Sequence, residues 1–192
     1  NGLEYSDFTD WTHQSPERFT YTYFGRLGMS KGLDLLLPAA AEMAKRHPDS
    51  RLRLIIPTYP EAMFQRIMGE LQALGLEEHV ELRHNLTREE LFTAITQSSC
   101  VVIPSYSEGF CFVAAESVAM GVPIVSSQKG ALAEVVGGKF IPVAEQSAKA
   151  WAKALSQAYQ GNWKEKPVQQ FTLEASVAQY IKLYQKITSV AP

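Results

Sequence analysis

Between Cys100 and Ser126 the chain reads as apolar strand, glycine-bearing turn, small-residue helix and second apolar strand, with Glu108 and Glu116 eight positions apart along the way. Cys100-Val-Val-Ile103 has the pattern of a buried strand, Pro104 to Gly109 that of a turn, and the helix runs to Met120 before Pro123–Ser126 returns to the sheet. Strand, helix and strand in that order belong to a parallel α/β sheet, where ligands bind in the crevice outside the carboxyl ends of the strands. A carboxylate at such a joint is costly to desolvate unless it is paired or hydrogen-bonded. Glu108 in the turn and Glu116 just inside the helix are therefore candidate acceptors for ligand hydroxyls. Taken singly, each is accounted for equally well as a solvated residue near a helix start, which favours negative charge.

The rest of the chain repeats the alternation. Phe19–Phe24, Leu52–Ile56, Val80–Leu82 and Lys139–Ile141 read as further strands. Ser30 is a candidate cap for a helix reaching Arg46, with Glu42 and Arg46 paired across one turn and Pro38 expected to kink or divide it. Ala62–Leu74 is helical by the spacing of Met63, Ile67, Leu71 and Leu74, with Gly75 closing it. Thr87 and Glu90 form a capping box, and Ala131–Val136, Ser147–Tyr159 and Thr172–Ile187 complete the helices, with Pro57-Thr-Tyr-Pro60 as a loop. Strands alternating with helices of this size predict a Rossmann-like, doubly wound parallel sheet covered on both faces.

A chain of 192 residues fits a single domain that buries a core without staples. Its formal net charge of −2 argues against a nucleic-acid partner. Cys100 and Cys111 show neither metal-ligand spacing nor a disulfide framework, so a reducing compartment is expected. The longest apolar run, around Phe110–Val125, is interrupted by Glu116 and Pro123, and no membrane span or signal segment is expected. A cytoplasmic chain follows as the expectation.

A second cluster lies at the first strand–helix turn, Gly25-Arg26-Leu27-Gly28-Met29-Ser30-Lys31-Gly32. Glycines let backbone approach a ligand closely, and a helix start presents free N–H groups. Arg26 and Lys31 add a bidentate cation and a point charge suited to phosphate, although a tight turn with two solvated cations accounts for the segment as well. The spacing is neither G-x-G-x-x-G nor a P-loop, so dinucleotide and P-loop enzymes are disfavoured.

Taken together, Ser105-x-x-Glu108-Gly-Phe, Glu116-x-x-Ala119-x-Gly121-x-Pro123-Ile-Val and Gly130-x-x-x-Glu134-Val-Val closely resemble the E-x7-E signature of retaining nucleotide-sugar glycosyltransferases of family 4, group 1. Gly25-Arg26-x-x-x-x-Lys31-Gly32 resembles the same family's pyrophosphate loop. The resemblance implies the C-terminal, donor-binding half of a two-domain GT-B enzyme. Such an enzyme transfers a sugar with retention from a UDP-, GDP- or ADP-sugar to a carbohydrate or lipid-linked acceptor, with no cofactor or obligatory metal and no metal-ligating residue. It further implies that Arg26 and Lys31 neutralise the diphosphate, that Glu116 holds the ribose hydroxyls and that Glu108 contacts the donor sugar. Gly25, Gly109, Phe110, Cys111, Phe112 and Val113 would complete the donor site, with Arg83–Leu86 near the base. Arg26, Lys31 and Glu108 are the residues expected to act in catalysis, Glu108 by positioning rather than as a nucleophile.

By the same resemblance, residues 1–18 correspond to the remnant of an interdomain linker and 172–188 to the closing helix. The N-terminal acceptor domain is then absent, and any membrane association would pass through it. Two departures stand out. Cys111 replaces the second glycine of the usual Gly-Phe-Gly, so its side chain either crowds the donor sugar or turns away into the core. Pro57 and Pro60 remove backbone donors from a loop that is usually glycine-rich, which bears on the base-side contacts. Of His13, His47, His79 and His84, only His84 is expected near the cleft, and none is given a catalytic role. A nucleotide-binding module without transferase activity and a nucleotide-sugar epimerase of like architecture are the alternative readings.

Overall fold

The computed structural model describes residues 1–57 and 60–188, so Thr58 and Tyr59 of the Pro57–Pro60 loop lie outside the described residues. Seven strands are present among them: β1 Thr20–Phe24, β2 Arg51–Ile56, β3 Val80–His84, β4 Cys100–Ile103, β5 Ile124–Ser127, β6 Gly138–Val143 and β7 Lys164–Lys166. The helices are α1 Leu33–Arg46, α2 Glu61–Ala73, α3 Arg88–Thr96, α4 Phe112–Ala119, α5 Leu132–Val135, α6 Ala148–Tyr159 and α7 Leu173–Thr188. The strands form one sheet in the order β3-β2-β1-β4-β5-β6-β7, parallel throughout except for the antiparallel edge strand β7. This is the expected doubly wound sheet. Its order reverses between β1 and β4, where Tyr21 pairs with Cys100.

Side chains alternate between two cores. Tyr21, Tyr23, Leu52, Leu54, Cys100 and Val102 face a layer with α1, α2 and α6, in which Leu36, Met43, Trp151 and Leu155 are fully buried or nearly so. Phe24, Ile55, Val101 and Ile103 face α3, α4 and α5, with Phe92, Ile95, Ala114 and Leu132. This two-residue alternation is what a sheet buried on both faces requires.

Several local expectations change. Ser30 caps nothing: a 3-10 turn at Met29–Lys31 precedes α1, and Gly32 stands at the helix start with φ 72°. The Ser30 carbonyl instead accepts from the Tyr106 amide at 2.8 Å. Pro38 lies inside α1 without dividing it, near the N-terminal end, where its missing N–H removes only the bond to Asp34. Strand β7 carries no apolar pattern and takes its conformation from pairing with β6.

The first residues pack against the rest of the domain. Leu3 and Phe8 are buried, and the Leu3 amide donates to the Phe171 carbonyl at 2.7 Å. Trp11 sits edge-on to Phe92 with ring centroids 5.5 Å apart, covering the core. Helix α7 has no buried residue at all, and Val177, Tyr180, Ile181, Tyr184 and Ile187 are each about half exposed or more.

Candidate functional site

The carboxyl ends of β1 and β4 open into a cavity of about 330 Å³. Gly25, Arg26 and Lys31 wall it from the first strand–helix turn, and Ser105, Glu108, Cys111, Phe112 and Val113 from the second. Phe112 and Val113 are the first residues of α4, so a helix start, whose N–H groups lack intrahelical acceptors, faces the two cations across the cavity.

Two glycines seat the Pro104–Glu108 segment. A Cβ on Gly32 would overlap the Pro104 carbonyl, and one on Gly130 would overlap that of Glu108. Both residues also have positive φ, 72° and 57°, so only glycine meets the conformation and the approach together. The Ala131 amide donates to the Glu108 carbonyl at 3.0 Å, and the Ser127 hydroxyl to the Ser105 carbonyl at 2.6 Å. The segment is thus held by the β1–α1 turn on one side and the β5–α5 turn on the other.

Within this frame Glu108 Oε1 accepts from Lys31 Nζ at 2.8 Å and from Ser105 Oγ at 2.6 Å. Lys31 is a quarter exposed and Glu108 a tenth, so the pair is screened less than a surface ion pair. Cys111 has φ 73°, a conformation that costs a residue with a side chain about 1–2 kcal/mol. Its side chain is buried among α4 and its neighbours and also lines the cavity. Burial first, then the Glu108 charge, push its thiol up to about 12. It is a neutral thiol, not a nucleophile.

Arg26 is exposed at the cavity mouth. Gly109 and Phe110 are not in the cavity wall; Phe110 packs against Phe112 and Phe171, with ring centroids 5.1 and 5.5 Å away. Glu116 lies one helical turn beyond Phe112 and Val113, half-buried and outside the wall. Burial raises its pKa, with the Arg88 charge opposing, and its carboxylate takes no hydrogen bond among the described residues.

A second cavity, of about 600 Å³, shares Phe24, Gly25 and Arg26 with the first. Asn85 and Leu86 line it, together with Ile55, Ile56 and Pro57. Arg83 instead pairs with Glu81, and His84 turns its ring toward Phe64. Sequence reasoning placed Ser105 and Gly130 in motifs without giving either a task; the packing around Glu108 shows what each does.

Residues 7–175 match the profile of the family described as Glycosyl transferases group 1. The chain belongs to that family. Among curated relatives of this group 1 glycosyltransferase, D-inositol 3-phosphate glycosyltransferase of Corynebacterium diphtheriae is 34% identical over 140 residues, covering 70% of this chain and 33% of the relative. The enzyme of the same name from Corynebacterium jeikeium is 30% identical over 179 residues, 86% of this chain and 43% of its own. The chain thus spans about a third of the length of the first of these and under half of the second.

Sucrose-phosphate synthase from Thermosynechococcus elongatus superimposes with a TM-score of 0.69 at 26% identity, over 91% of this chain and 47% of that one. The C-terminal domain of a group 1 family protein from Francisella tularensis gives 0.70 at 20% identity, over 83% of this chain and 88% of that one. Anabaena HepE, solved in complex with UDP and glucose, gives 0.69 at 19% identity, over 84% of this chain and 46% of that one. These likenesses place the group 1 chain among GT-B folds, and no helix among its described residues is long and apolar enough to cross a membrane.

Proposed function

We propose that this chain is the donor half of a retaining glycosyltransferase and binds a nucleoside diphosphate sugar at the β1–β4 crevice. The observation that carries the reading is the convergence of Arg26, Lys31, Glu108 and the start of α4 on one cavity. As the bond between sugar and diphosphate breaks, negative charge grows on the leaving group and positive character on the sugar ring. Arg26, Lys31 and the helix start oppose the former, the electrostatic contribution that usually dominates such chemistry. Each charge-assisted hydrogen bond contributes about 1.5–3 kcal/mol.

Glu108 holds a sugar hydroxyl, and Glu116, whose carboxylate is half-buried and without a hydrogen-bond donor among the described residues, holds the ribose. The base occupies the second cavity beside Asn85 and Leu86. An acceptor domain belongs to the part of the enzyme that this chain does not span, and the exposed apolar row of α7 is the surface it would cover. HepE was solved with UDP and glucose, which supports a nucleotide-sugar ligand for the shared fold.

Calorimetric titration of this chain with UDP, GDP and ADP, repeated on R26A and E116Q, tests the reading. Saturable binding of one diphosphate, weakened in both variants, is the expected result. Unchanged affinity in both would remove the assignment.

A further inference from the structure

Tyr23 is the last residue of β1 to face the layer of α1, α2 and α6, and its ring packs there with 4% of its surface exposed. A phenyl ring would fill that place equally well, whereas a buried hydroxyl has to find a partner. The hydroxyl passes Gly25, 3.9 Å from where a Cβ there would stand, and donates to the Arg26 carbonyl at 2.8 Å. The same side chain lines the cavity beside Arg26 and Lys31. The bond therefore lies in the wall of the site, where the strand gives way to the turn that carries both cations.

We infer that Tyr23 is a positioning residue for the diphosphate, its hydroxyl holding the turn so that Arg26 offers its guanidinium and not its carbonyl. The inference rests on the donor reading above. The Arg26 guanidinium is exposed and makes no hydrogen bond or ion pair among the described residues, so the backbone of the turn decides where it points. A carbonyl and a phosphate are both acceptors and repel at close range. The peptide unit is planar, so turning its carbonyl turns the residue that carries it. Left without its donor, the Arg26 carbonyl is able to swing toward the cavity, bringing an acceptor up to the phosphates and carrying the guanidinium off its line. The Tyr23 hydroxyl removes that freedom, since its ring is locked in the core. Lys31 is held separately, by Glu108 and through its amide by the Gly28 carbonyl at 2.9 Å, so the effect of Tyr23 passes through Arg26.

The test is a pair of double-mutant cycles. Wild type, Y23F, R26A and E116Q, and Y23F combined with each of the other two, are titrated with UDP, GDP and ADP by calorimetry. Y23F is expected to weaken the diphosphate that wild type binds by about three- to tenfold. In the E116Q background, which alters the ribose end, the same factor should return; in R26A it should shrink to less than about twofold. A merely structural hydroxyl would not separate the two backgrounds. Wild-type affinity in Y23F overturns the inference, as does an equal loss in R26A, which would mean that the hydroxyl acts on the ligand or the fold without Arg26. A Y23F chain that fails to fold overturns it too, because the bond is then a structural one. Diphosphate binding that R26A leaves unchanged takes Arg26 out of the site and this inference with it, while the nucleotide site stands. Binding of no diphosphate by wild type removes the donor reading and this inference together.

Discussion

Lys31 donates its ammonium proton at 2.8 Å to Glu108, a residue 77 positions away on the opposite wall of the same cavity. The cation proposed for the diphosphate and the carboxylate proposed for the sugar are therefore partners across the cavity. On the proposed donor reading, a diphosphate would compete with Glu108 for Lys31, and release of the lysine would loosen the carboxylate for the sugar.

That competition sets opposite signs for two substitutions. K31A is expected to weaken diphosphate binding by about ten- to a hundredfold, as R26A does, through the loss of a charge-assisted bond. E108Q frees Lys31 and removes a like charge from the phosphates, so it tightens diphosphate binding by about two- to fivefold at low salt. Calorimetry at two ionic strengths reads both, and weaker binding in E108Q would show that Glu108 orients Lys31 rather than competing for it.

Glu116 gives a prediction in each state of the site. Wild type should prefer UDP over its 2′-deoxy analogue, or the corresponding pair for whichever base binds, and E116Q should lose the preference.

In the folded chain the burial-raised pKa of Glu116 has a definite sign. The folded state holds the proton to higher pH than the unfolded state does. The stabilising contribution of the protonated form is therefore complete below the unfolded value and is lost as pH rises through the raised folded one. E116Q should accordingly be more stable than wild type at pH 7, with the difference shrinking below the ordinary glutamate value of 4.5. Urea unfolding at the two pH values measures this, and a constant difference would locate the effect elsewhere.

The glycines separate by their surroundings. G32A and G130A combine positive φ with backbone overlap, and each should destabilise the chain by about 3 kcal/mol or more. Gly75 shares the positive φ, 65°, but has open space around it, so G75A should cost about 1 kcal/mol. Comparable losses in thermal unfolding at all three positions would contradict the seating of the Pro104–Glu108 segment.

Deleting residues 177–192 removes much of a helix that buries nothing, so the unfolding midpoint of the remaining chain should move by no more than about 3 °C. A large fall would mean that α7 supports the sheet, contrary to its exposure.

The alternation of strands and helices, the capping box at Thr87 and the two Glu-bearing positions were legible because each rests on local pattern. What was not legible depends on partners far along the chain. Ser30 looked like a cap until Gly32 was needed beneath Pro104. Strand β7, Lys164-Glu-Lys166, exists only because β6 offers an open edge. The spacing of Glu108 and Glu116 suggested a shared task, yet one faces the cavity and the other lies a turn behind its wall. The partners of Glu108 could not be read at all, since Lys31 reaches it through the order of strands in the sheet.

The Gly32 and Gly130 seats bear on how the proposed donor site could be altered. The Pro104–Cys111 segment does not stand on its own strand but is pressed between two turns that come from the neighbouring strands on either side. Transplanting that segment alone from a relative would carry side chains without their bed. The unit that shapes the proposed donor site is a sandwich of three turns, each of which depends on the other two for its place.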